Sequence, residues 1–504
     1  MKNITIIGGG ACGTAVFVEL VLQINASNLS QQVEITIIER DERLGYGLAF
    51  GTHQKGHLLN TKAELMGIHV HEPEHFANWL KRRGGKCRDD VKGKGQTEEA
   101  YTSRSLYGDY VSEQLKYYLE QAKRMGITVN TIQAEAIDVQ KAAEGYEVIC
   151  DDGQRLPADY IVLALGTPKP TNYADLMPYP EYIDFPWPSY SMVKHIQKED
   201  HVGILGTSLS AIDAVMTLVD NGHRGPITLV SPDGLLPRVQ PAADMEYQRQ
   251  ILTLSKIHQV KRDKLRKLTV ADILQLFKQE VETCAGQAID WQEKMREGRS
   301  ADQLLAEDIA MAEKGGDALS HVIYSLRYDA GVIWQMWDAE EQQQFKKKLG
   351  TLWMIYRHAM PLHNAYRLKG LFDKKQLEVC AGLEDVIFQE DQRVFKCVLE
   401  SGEHRQVHKI VNATGSPSDL DQMDCPLIDN LLDKQMLYSY PVGGALIDRL
   451  TMQAVSARGG EGIYTLGHLA NGMLLDVNAV WYNVRTAAIL CEHLLCKIKY
   501  GSFS

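Results

Sequence analysis

Three glycines near the start of the chain, Gly8, Gly10 and Gly13, constrain the fold more than any other feature of the sequence. They follow an apolar run over 4–7 that predicts a buried parallel strand, and they precede a stretch over 14–22 that predicts a helix. The spacing G-x-G-x-x-G between a strand and a helix is typical of a dinucleotide-binding turn. In such a turn the first glycine allows the tight bend, the second lets a pyrophosphate approach, and the third lets helix and strand pack closely. A glycine-rich turn in another kind of α/β protein stays open as an alternative.

A carboxylate stands at the end of the second predicted strand. The run over 33–38 predicts that strand, Glu39 follows it directly, and a polar loop over 25–30 explains the long spacing from the glycines. An acidic residue at this place accepts hydrogen bonds from the ribose diol of an adenosine. We therefore expect a dinucleotide whose adenosine ribose carries no 2′-phosphate, as in FAD or NAD. The predicted contacts with FAD here are Gly8, Gly10, Ala11, Cys12, Gly13, Glu39 and Arg40.

Composition bounds the class of protein. The 504 residues predict two or three domains, and the net charge of −11 argues against a nucleic-acid-binding surface. The nine cysteines form no C-x-x-C pair, so neither a metal site nor a disulfide framework is indicated, and no apolar run is long enough for a membrane span. The chain enters its first strand without space for a signal peptide, so we expect a cytoplasmic enzyme. No feature of the sequence assigns an oligomeric state.

A second strand–glycine–helix unit lies over 201–215. Gly206 is kept, while Ser208 and Ala211 stand in place of the second and third glycines, and both are small enough for a phosphate to approach. A plain βα unit without a ligand stays open as an alternative. The predicted contacts with a second nucleotide on this helix start are Gly206, Ser208 and Ser210.

The strand that follows this unit, over 227–230, ends in Ser231 and not in a carboxylate. Two cations flank the strand, Arg224 before it and Arg238 after it. A missing acid with cations nearby favours the 2′-phosphate of NADPH. Because Asp233 also lies close by, NADH stays open. Ser231 and Arg238 complete the predicted second site.

Two nucleotide units in one chain suit a protein in which NAD(P)H delivers a hydride to a resident FAD. Strands over 161–165 and 410–414 run into turns at Gly166 and Gly415, a pattern of two-dinucleotide flavoproteins where the chain changes domain. The proline-free stretch over 242–360 predicts a mainly helical insertion.

The predicted fold class is therefore α/β, with two dinucleotide-binding, Rossmann-like domains of the two-dinucleotide flavoprotein type and a mainly helical insertion. We expect the FAD domain over 1–195 and 411–504. The NAD(P)H domain is expected over 196–240 and 351–410, interrupted by the helical insertion over 241–350.

Several ordered stretches beyond the glycine turns resemble a known family. They are GYGLAFGT at 45–52, GHLLN at 56–60, PEHFANWL at 73–80, SRSLYGDY at 103–110, GLLPR at 234–238, YRHAMP at 356–361 and GHLANGML at 467–474. In this order they resemble the bacterial FAD/NAD(P)-binding proteins that include an FAD-dependent urate hydroxylase. That family is distantly related to the amine N-hydroxylating flavin monooxygenases.

The resemblance implies a monooxygenase that uses FAD, NAD(P)H and O₂ to hydroxylate a small polar, nitrogen-containing substrate through a C4a-(hydro)peroxyflavin. It places His57, Leu59 and Asn60 beside the isoalloxazine, Arg104 near a phosphate or ribityl oxygen, and the turn from Gly467 to Leu474 at the flavin tail. A structural role stays open for Asn60 and Arg104. No catalytic side chain is assigned. His57, His358 and His468 lie inside these motifs, but a histidine in such a place is more often structural than a proton donor or acceptor.

Two other functions stay open. One is an NAD(P)H-dependent flavin reductase or dehydrogenase that inserts no oxygen. The other is a non-catalytic flavin-binding interaction protein, favoured by Ser208 and by the long helical insertion.

Overall fold

The computed structural model describes residues 1–84, 91–92, 100–243, 246–457 and 461–501. The chain forms two compact units: the first unit consists of Met1–Asn172 and Ser416–Ser504, and the second unit of Tyr173–Gly415. The unit boundaries thus fall at 172/173 and 415/416, whereas the boundaries predicted from the sequence are 195/196 and 410/411. The second unit therefore includes the helical stretch and also residues 173–195, which were expected in the FAD domain.

The elements of the first unit lie on both sides of the second in the chain. The first part contains β1 (Lys2–Ile7), α1 (Ala11–Ala26), β2 (Val33–Glu39), α2 (Gly47–Phe50), α3 (His75–Arg83), β3 (Val91–Lys92), β4 (Tyr101–Thr102), α4 (Arg104–Arg124), β5 (Thr128–Gln133), β6 (Ala136–Lys141), β7 (Tyr146–Cys150), β8 (Arg155–Ala158), β9 (Tyr160–Leu163) and β10 (Lys169–Pro170).

The second unit is continuous in the chain. It contains β11 (Tyr182–Ile183), α5 (Ser189–His195), β12 (Val202–Leu205), α6 (Leu209–Asp220), β13 (Ile227–Val230), α7 (Leu254–Lys264), α8 (Val270–Ala285), α9 (Trp291–Met295), α10 (Ala301–Glu313), α11 (Ala318–Ser325), α12 (Ala330–Gln335), α13 (Ala339–Arg357), α14 (Leu362–Asp373), β14 (Leu377–Cys380), β15 (Leu383–Gln389), β16 (Val394–Leu399), β17 (His404–Val407) and β18 (Lys409–Asn412). The return to the first unit adds β19 (Met423–Asp424), α15 (Pro426–Asp433), β20 (Ile463–Thr465) and α16 (Val480–Tyr500).

The first unit is built on a five-stranded parallel sheet in the order β20-β9-β1-β2-β5. Its central strand β1 is buried over 4–7, which is why this run is apolar apart from one threonine. Strands β6, β7 and β8 form a separate antiparallel sheet between β5 and β9 in the chain.

The second unit repeats this arrangement. Its parallel sheet has the order β11-β18-β12-β13-β14, and an antiparallel sheet of β15, β16 and β17 stands between β14 and β18. The register repeats as well, since Ile7 pairs with Ile38 in the first unit as Leu205 pairs with Val230 in the second. The prediction of an α/β fold with two Rossmann-like domains is confirmed.

Helices α7–α14 lie between β13 and β14 in the second unit, and α7–α13 form the helical insertion that the sequence predicted. Their starts show why these residues form helices. Thr269 and Asp272 form a reciprocal capping box at α8, and Asp338 accepts the Glu341 N–H at the start of α13. Within the described ranges, no helix is both long and apolar enough to cross a membrane.

Helix α1 is the central packing element of the first unit. It is apolar on most of its circumference, and α16 lies against it, with Cys491 Sγ 3.6 Å from the carbonyl oxygen of Val16. Phe17 is fully buried at this position, whereas Leu22 on the same helix is 40% exposed. The burial of α1 fixes where its N-terminus points.

Truncation of Phe17 should therefore destabilise the first unit. We expect Phe17→Ala to lower its free energy of unfolding by about 3–5 kcal/mol, because a large cavity is left in a close-packed core. The matched control Leu22→Ala, on the exposed side of α1, should cost less than about 1 kcal/mol. Urea unfolding followed by circular dichroism measures both. Equal losses for the two variants would contradict this packing.

Candidate functional site: two glycine turns

The first glycine turn joins β1 to α1. Gly8 has φ +105°, and its N–H donates to the carbonyl oxygen of Ile38 at 2.8 Å. A Cβ on Gly13 would lie 1.8 Å from the carbonyl oxygen of Gly8, so only glycine lets the helix begin this close to the strand. Gly10 is the N-cap of α1 and has no side chain to satisfy the N–H groups of the first turn. These N–H groups, which include those of Ala11 and Cys12, suit an anionic ligand.

Glu39 lies beside this turn at the end of β2. Its Oε2 accepts the Gly9 N–H at 2.7 Å, and its Oε1 accepts the Asp41 N–H at 3.0 Å. The side chain is almost fully buried, and two backbone donors fix the orientation of its carboxylate. Each oxygen keeps a further lone pair for a ribose hydroxyl. The neighbouring Arg40 is exposed and forms an ion pair with Glu135 at 3.2 Å.

A second loop approaches the glycine turn and was not among the predicted site residues. The Gly45 N–H donates to the carbonyl oxygen of Gly9 at 2.9 Å, and a Cβ on Gly10 would lie 3.4 Å from the Cα of Gly47. Gly45 and Gly47 both have positive φ, and Gly45 packs against the backbone of Ser112 on α4. The signal in the sequence was these two glycines, whose role becomes clear only from their contact with the first turn.

The C-terminal part of the first unit contacts the first glycine turn. Gly467 has φ +72°, and a Cβ there would lie 3.2 Å from the sulfur of Cys12. Leu474 is buried, and its N–H donates to the carbonyl oxygen of Ala470 at 2.9 Å. Gly166 follows β9 with φ +72°, and no atom lies within 4 Å of where its Cβ would be. The structure thus brings Gly467 to the glycine turn.

The segment over 57–60 is held by backbone pairing. The Leu59 N–H donates to the carbonyl oxygen of Thr102 at 2.9 Å, and the Arg104 N–H donates to that of His57 at 2.8 Å. His57 is fully buried with its Nδ1 3.0 Å from Thr52 Oγ1, and Leu59 belongs to the core. Asn60 and Arg104 are half-buried, and Arg104 begins α4. The two predicted segments are therefore neighbours.

The second glycine turn joins β12 to α6 and has the geometry of the first. Gly206 has φ +109°, and its N–H donates to the carbonyl oxygen of Val230 at 2.7 Å. Ser208 is the N-cap of α6 without a side-chain cap bond, and Ser210 is half-buried in the first turn of that helix. Gly415 follows β18 with φ +86° and open space around it, in the place that Gly166 has after β9. The two turns thus share the same backbone geometry.

Arg238 occupies a different environment from the one predicted. It is 6% exposed, with Nε 2.8 Å from Asp308 and Nη2 3.4 Å from Asp317, and its guanidinium lies over the ring of Tyr356. Arg296 binds the same Asp308 with two hydrogen bonds of 3.0 and 2.8 Å. Arg238 thus joins the end of β13 to helices α10 and α11, and this arrangement does not support its predicted contact with a 2′-phosphate.

Two histidines of the stretches that carry the family resemblance, His468 and His358, lie in surroundings that suit a structural role. His468 Nε2 lies 2.8 Å from the carbonyl oxygen of Pro417. Desolvation and the charge of Arg357 lower the pKa of His358 to about 3, so this imidazole is neutral at physiological pH. Among the described residues, no group of three or more histidine, cysteine, aspartate or glutamate side chains is arranged to hold a metal ion.

Both turns fit a dinucleotide. A side chain at Gly8 would meet the carbonyl of Ala164, one at Gly13 would meet Gly8, and one at Gly206 would meet the carbonyl of Ala413. Each helix therefore starts close to the end of its strand, and no N-cap side chain at Gly10 or Ser208 binds the N–H groups of the first turn, which are the groups that hold phosphate oxygens. This duplicated arrangement defines an α/β fold of the two-dinucleotide flavoprotein type.

Comparison with known proteins agrees with this class. Residues 5–168 match a protein-family model described as FAD-NAD(P)-binding, which confirms the predicted dinucleotide-binding domain in the first part of the chain. The 3-dehydro-bile acid delta(4,6)-reductase of Clostridium scindens is 30% identical over 178 residues, which are 33% of this chain and 39% of that protein. The uncharacterized protein YdhS of Escherichia coli is 25% identical over 275 residues, 49% of this chain and 48% of that one. The chain spans about half or less of the length of these curated relatives.

Solved structures share the fold over nearly the whole chain. The ornithine hydroxylase PvdA of Pseudomonas aeruginosa has a TM-score of 0.59 at 13% identity, with 98% of both chains covered. The ornithine N-hydroxylase KtzI of Kutzneria sp. 744 has a TM-score of 0.55 at 13% identity, with 99% of both covered. The cadaverine monooxygenase DfoA of Erwinia amylovora has a TM-score of 0.55 at 13% identity, covering 98% of this chain and 94% of that one. At this identity the likeness establishes the fold.

Glu39 offers a direct test of the first site. We expect Glu39→Gln to weaken FAD binding roughly 10- to 100-fold, since hydrogen bonds to a charged group contribute about 1.5–3 kcal/mol. Fluorescence titration of the flavin-free protein with FAD measures the dissociation constant. The control is Asp41→Asn, which removes an exposed carboxylate two residues away. Asp41 binds Glu39 through its backbone N–H, so this substitution leaves that hydrogen bond in place. Similar affinities for both variants would exclude this role of Glu39.

Cys12 gives a second test, through its pH dependence. Desolvation raises the pKa of the half-buried Cys12 thiol to about 12, so at pH 8 this thiol is protonated and unreactive. We expect iodoacetamide at pH 8 to label the exposed Cys496 and to leave Cys12 unmodified, as measured by peptide mass analysis. Modification of Cys12 should increase as the pH rises towards its pKa. Equal labelling of the two cysteines at pH 8 would contradict the packing of the glycine turn.

Proposed function

We propose that this protein is a flavin-dependent oxidoreductase, and more specifically an FAD-dependent, NAD(P)H-consuming monooxygenase acting on a small polar, nitrogen-containing substrate. One observation carries the proposal. Two glycine-turn units of the same topology and register stand in one chain, and in the first the buried Glu39 carboxylate accepts the Gly9 N–H of the turn, where it would meet a ribose. A chain that binds two adenine dinucleotides suits electron transfer from NAD(P)H to FAD.

The residues of the first unit would divide the binding of FAD among them. The start of α1 would hold the pyrophosphate with its backbone N–H groups, and Glu39 would accept the ribose hydroxyls. The turn at Gly467, in contact with Cys12, would approach the flavin tail, while the paired segments at 57–60 and 102–104 would lie beside the ring. Bound FAD would supply the redox chemistry and O₂ activation that amino-acid side chains lack.

The substrate class is proposed from the structural relatives. PvdA and KtzI are named as ornithine hydroxylases, and DfoA as a cadaverine monooxygenase bound to FAD. The solved structure of KtzI is a complex with reduced FAD, NADP⁺ and L-ornithine. A small amine with O₂ as the co-substrate is therefore the first substrate to test.

A second candidate is favoured by the curated relative from Clostridium scindens. That protein is named as a reductase of a 3-dehydro-bile acid, and its similarity covers 178 residues. An NAD(P)H-dependent flavin reductase that reduces an unsaturated carbonyl compound uses the same two nucleotide sites and inserts no oxygen. The two candidates differ in what reoxidises the flavin.

The decisive experiment follows the flavin and the oxygen together. We expect the purified protein to be yellow with FAD, to lose this colour when NADH or NADPH is added without O₂, and to consume O₂ in proportion to hydroxylated product when ornithine, lysine, cadaverine or urate is screened. Product is measured by mass spectrometry and peroxide by a coupled peroxidase assay. The Glu39→Gln variant, saturated with FAD, serves as the matched control for flavin content.

Each result separates the candidates. Reoxidation by an unsaturated 3-dehydro-bile acid, with no coupled product from any amine, would favour the reductase and contradict the monooxygenase. A colourless protein that takes up no FAD on reconstitution would contradict both.

A further inference from the structure

Ser231 stands in the second unit where Glu39 stands in the first. The register shows this directly, since Ile38 and Val230 are the partners of the residues that precede Gly8 and Gly206, and Glu39 and Ser231 come next in the chain. The position after β13 is therefore where the adenosine ribose of a second nucleotide would be read. Which nucleotide it accepts depends on the donors, acceptors and charges present there.

The hydroxyl groups of Thr207 and Ser231 at this position already donate their protons in hydrogen bonds within the protein. Thr207 Oγ1 donates to the carbonyl oxygen of Leu235 at 2.7 Å, so it can only accept from Ser231, whose Oγ lies 3.1 Å away. Ser231 thus donates its one proton to Thr207, and it accepts the Gly234 N–H at 3.0 Å. A hydroxyl carries a single proton, so neither side chain has one left for a phosphate oxygen. Ser231 keeps one lone pair as an acceptor.

The charge presented by this turn is negative. Asp233 is exposed two residues after Ser231, and its Oδ2 accepts the hydroxyl of Thr351 on α13 at 2.6 Å. The other side of the turn is backbone, because the Ser231 N–H donates to Cys380 and the Gly382 N–H donates to Pro232. The arginine that follows in the sequence, Arg238, is buried against two carboxylates.

We infer that the second site selects NADH over NADPH, with Asp233 as the specificity-determining residue; this inference rests on the proposed function. The 2′-phosphate of NADPH offers only acceptor oxygens and carries negative charge, so it would meet acceptors and a carboxylate. The 2′-hydroxyl of NADH can donate to the Asp233 carboxylate or to the free lone pair of Ser231. Arg238, which the sequence suggested as a phosphate ligand, takes no part in this selection.

The test measures binding and reduction on the FAD-loaded protein. Calorimetric titration with NAD⁺ and with NADP⁺ gives the two dissociation constants, and anaerobic mixing with NADH and NADPH gives the two rates of flavin reduction. We expect NAD⁺ to bind about tenfold more tightly and NADH to be the faster reductant. Asp233→Asn should shift the ratio towards the phosphorylated nucleotide by about fivefold, mainly through tighter NADP⁺ binding, as one like charge is removed.

The control variant is Asp391→Asn, which removes an exposed carboxylate from the turn between β15 and β16 of the same unit. It changes the net charge equally and should leave the ratio unchanged. Tighter binding of NADP⁺ by the unmodified protein would overturn the inference alone, and an unchanged ratio in Asp233→Asn would overturn the role of Asp233. Binding of neither nucleotide, with no flavin reduction, would overturn the proposed function and this inference with it.

Discussion

The close approach of α1 to the end of β1 is the constraint on which the first unit depends. No Cβ fits at Gly13, because it would lie 1.8 Å from the carbonyl oxygen of Gly8. With glycine there, the helix starts at the end of the strand, and its first N–H groups face the same opening as the Glu39 carboxylate. The turns at Gly47 and Gly467 reach this opening from distant parts of the chain. One steric requirement therefore gathers residues from three separate segments.

The second unit uses this framework with other residues. Sheet order, register and the positive φ at Gly206 repeat those of the first unit. Ser231 stands in place of Glu39. In the described residues, the chain between β13 and β14 contains the eight helices α7–α14, whereas the connection between β2 and β5 is shorter. The order of the strands and the backbone of the glycine turn are therefore common to both units. The units differ at Ser208 and Ala211, which replace two glycines, and in the chain that follows the second strand.

The sequence predicted the features that local patterns determine. The apolar runs over 4–7 and 33–38 became buried strands, both glycine turns formed where expected, and the proline-free stretch became helices. These follow from short-range rules of burial and backbone freedom. The predicted boundary at 195 differs from 172 in the structure, because β11 pairs with β18 and so joins the segment that begins at Tyr173 to the second unit.

The features that the sequence did not predict depend on distant partners. Arg238 looked like a phosphate ligand because it follows the second strand, but its carboxylate partners Asp308 and Asp317 come from helices about 70 and 80 residues later. Likewise, the contact of Gly47 with Gly10 depends on how a long loop returns to the first turn. No local pattern of charge or periodicity encodes such pairings, because only the tertiary fold brings the partners together.

The short pairing of β10 with β19 determines how the chain leaves the first unit and returns to it. Lys169 and Pro170 pair with Asp424 and Met423, and Ser416 Oγ donates to the carbonyl oxygen of Pro168 at 2.5 Å. The strand before the second unit, β10, and the strand after it, β19, are thus hydrogen-bonded to each other. The partners in these hydrogen bonds all belong to the first unit, so the pairing closes the chain on either side of residues 173–415 without using a residue of the second unit.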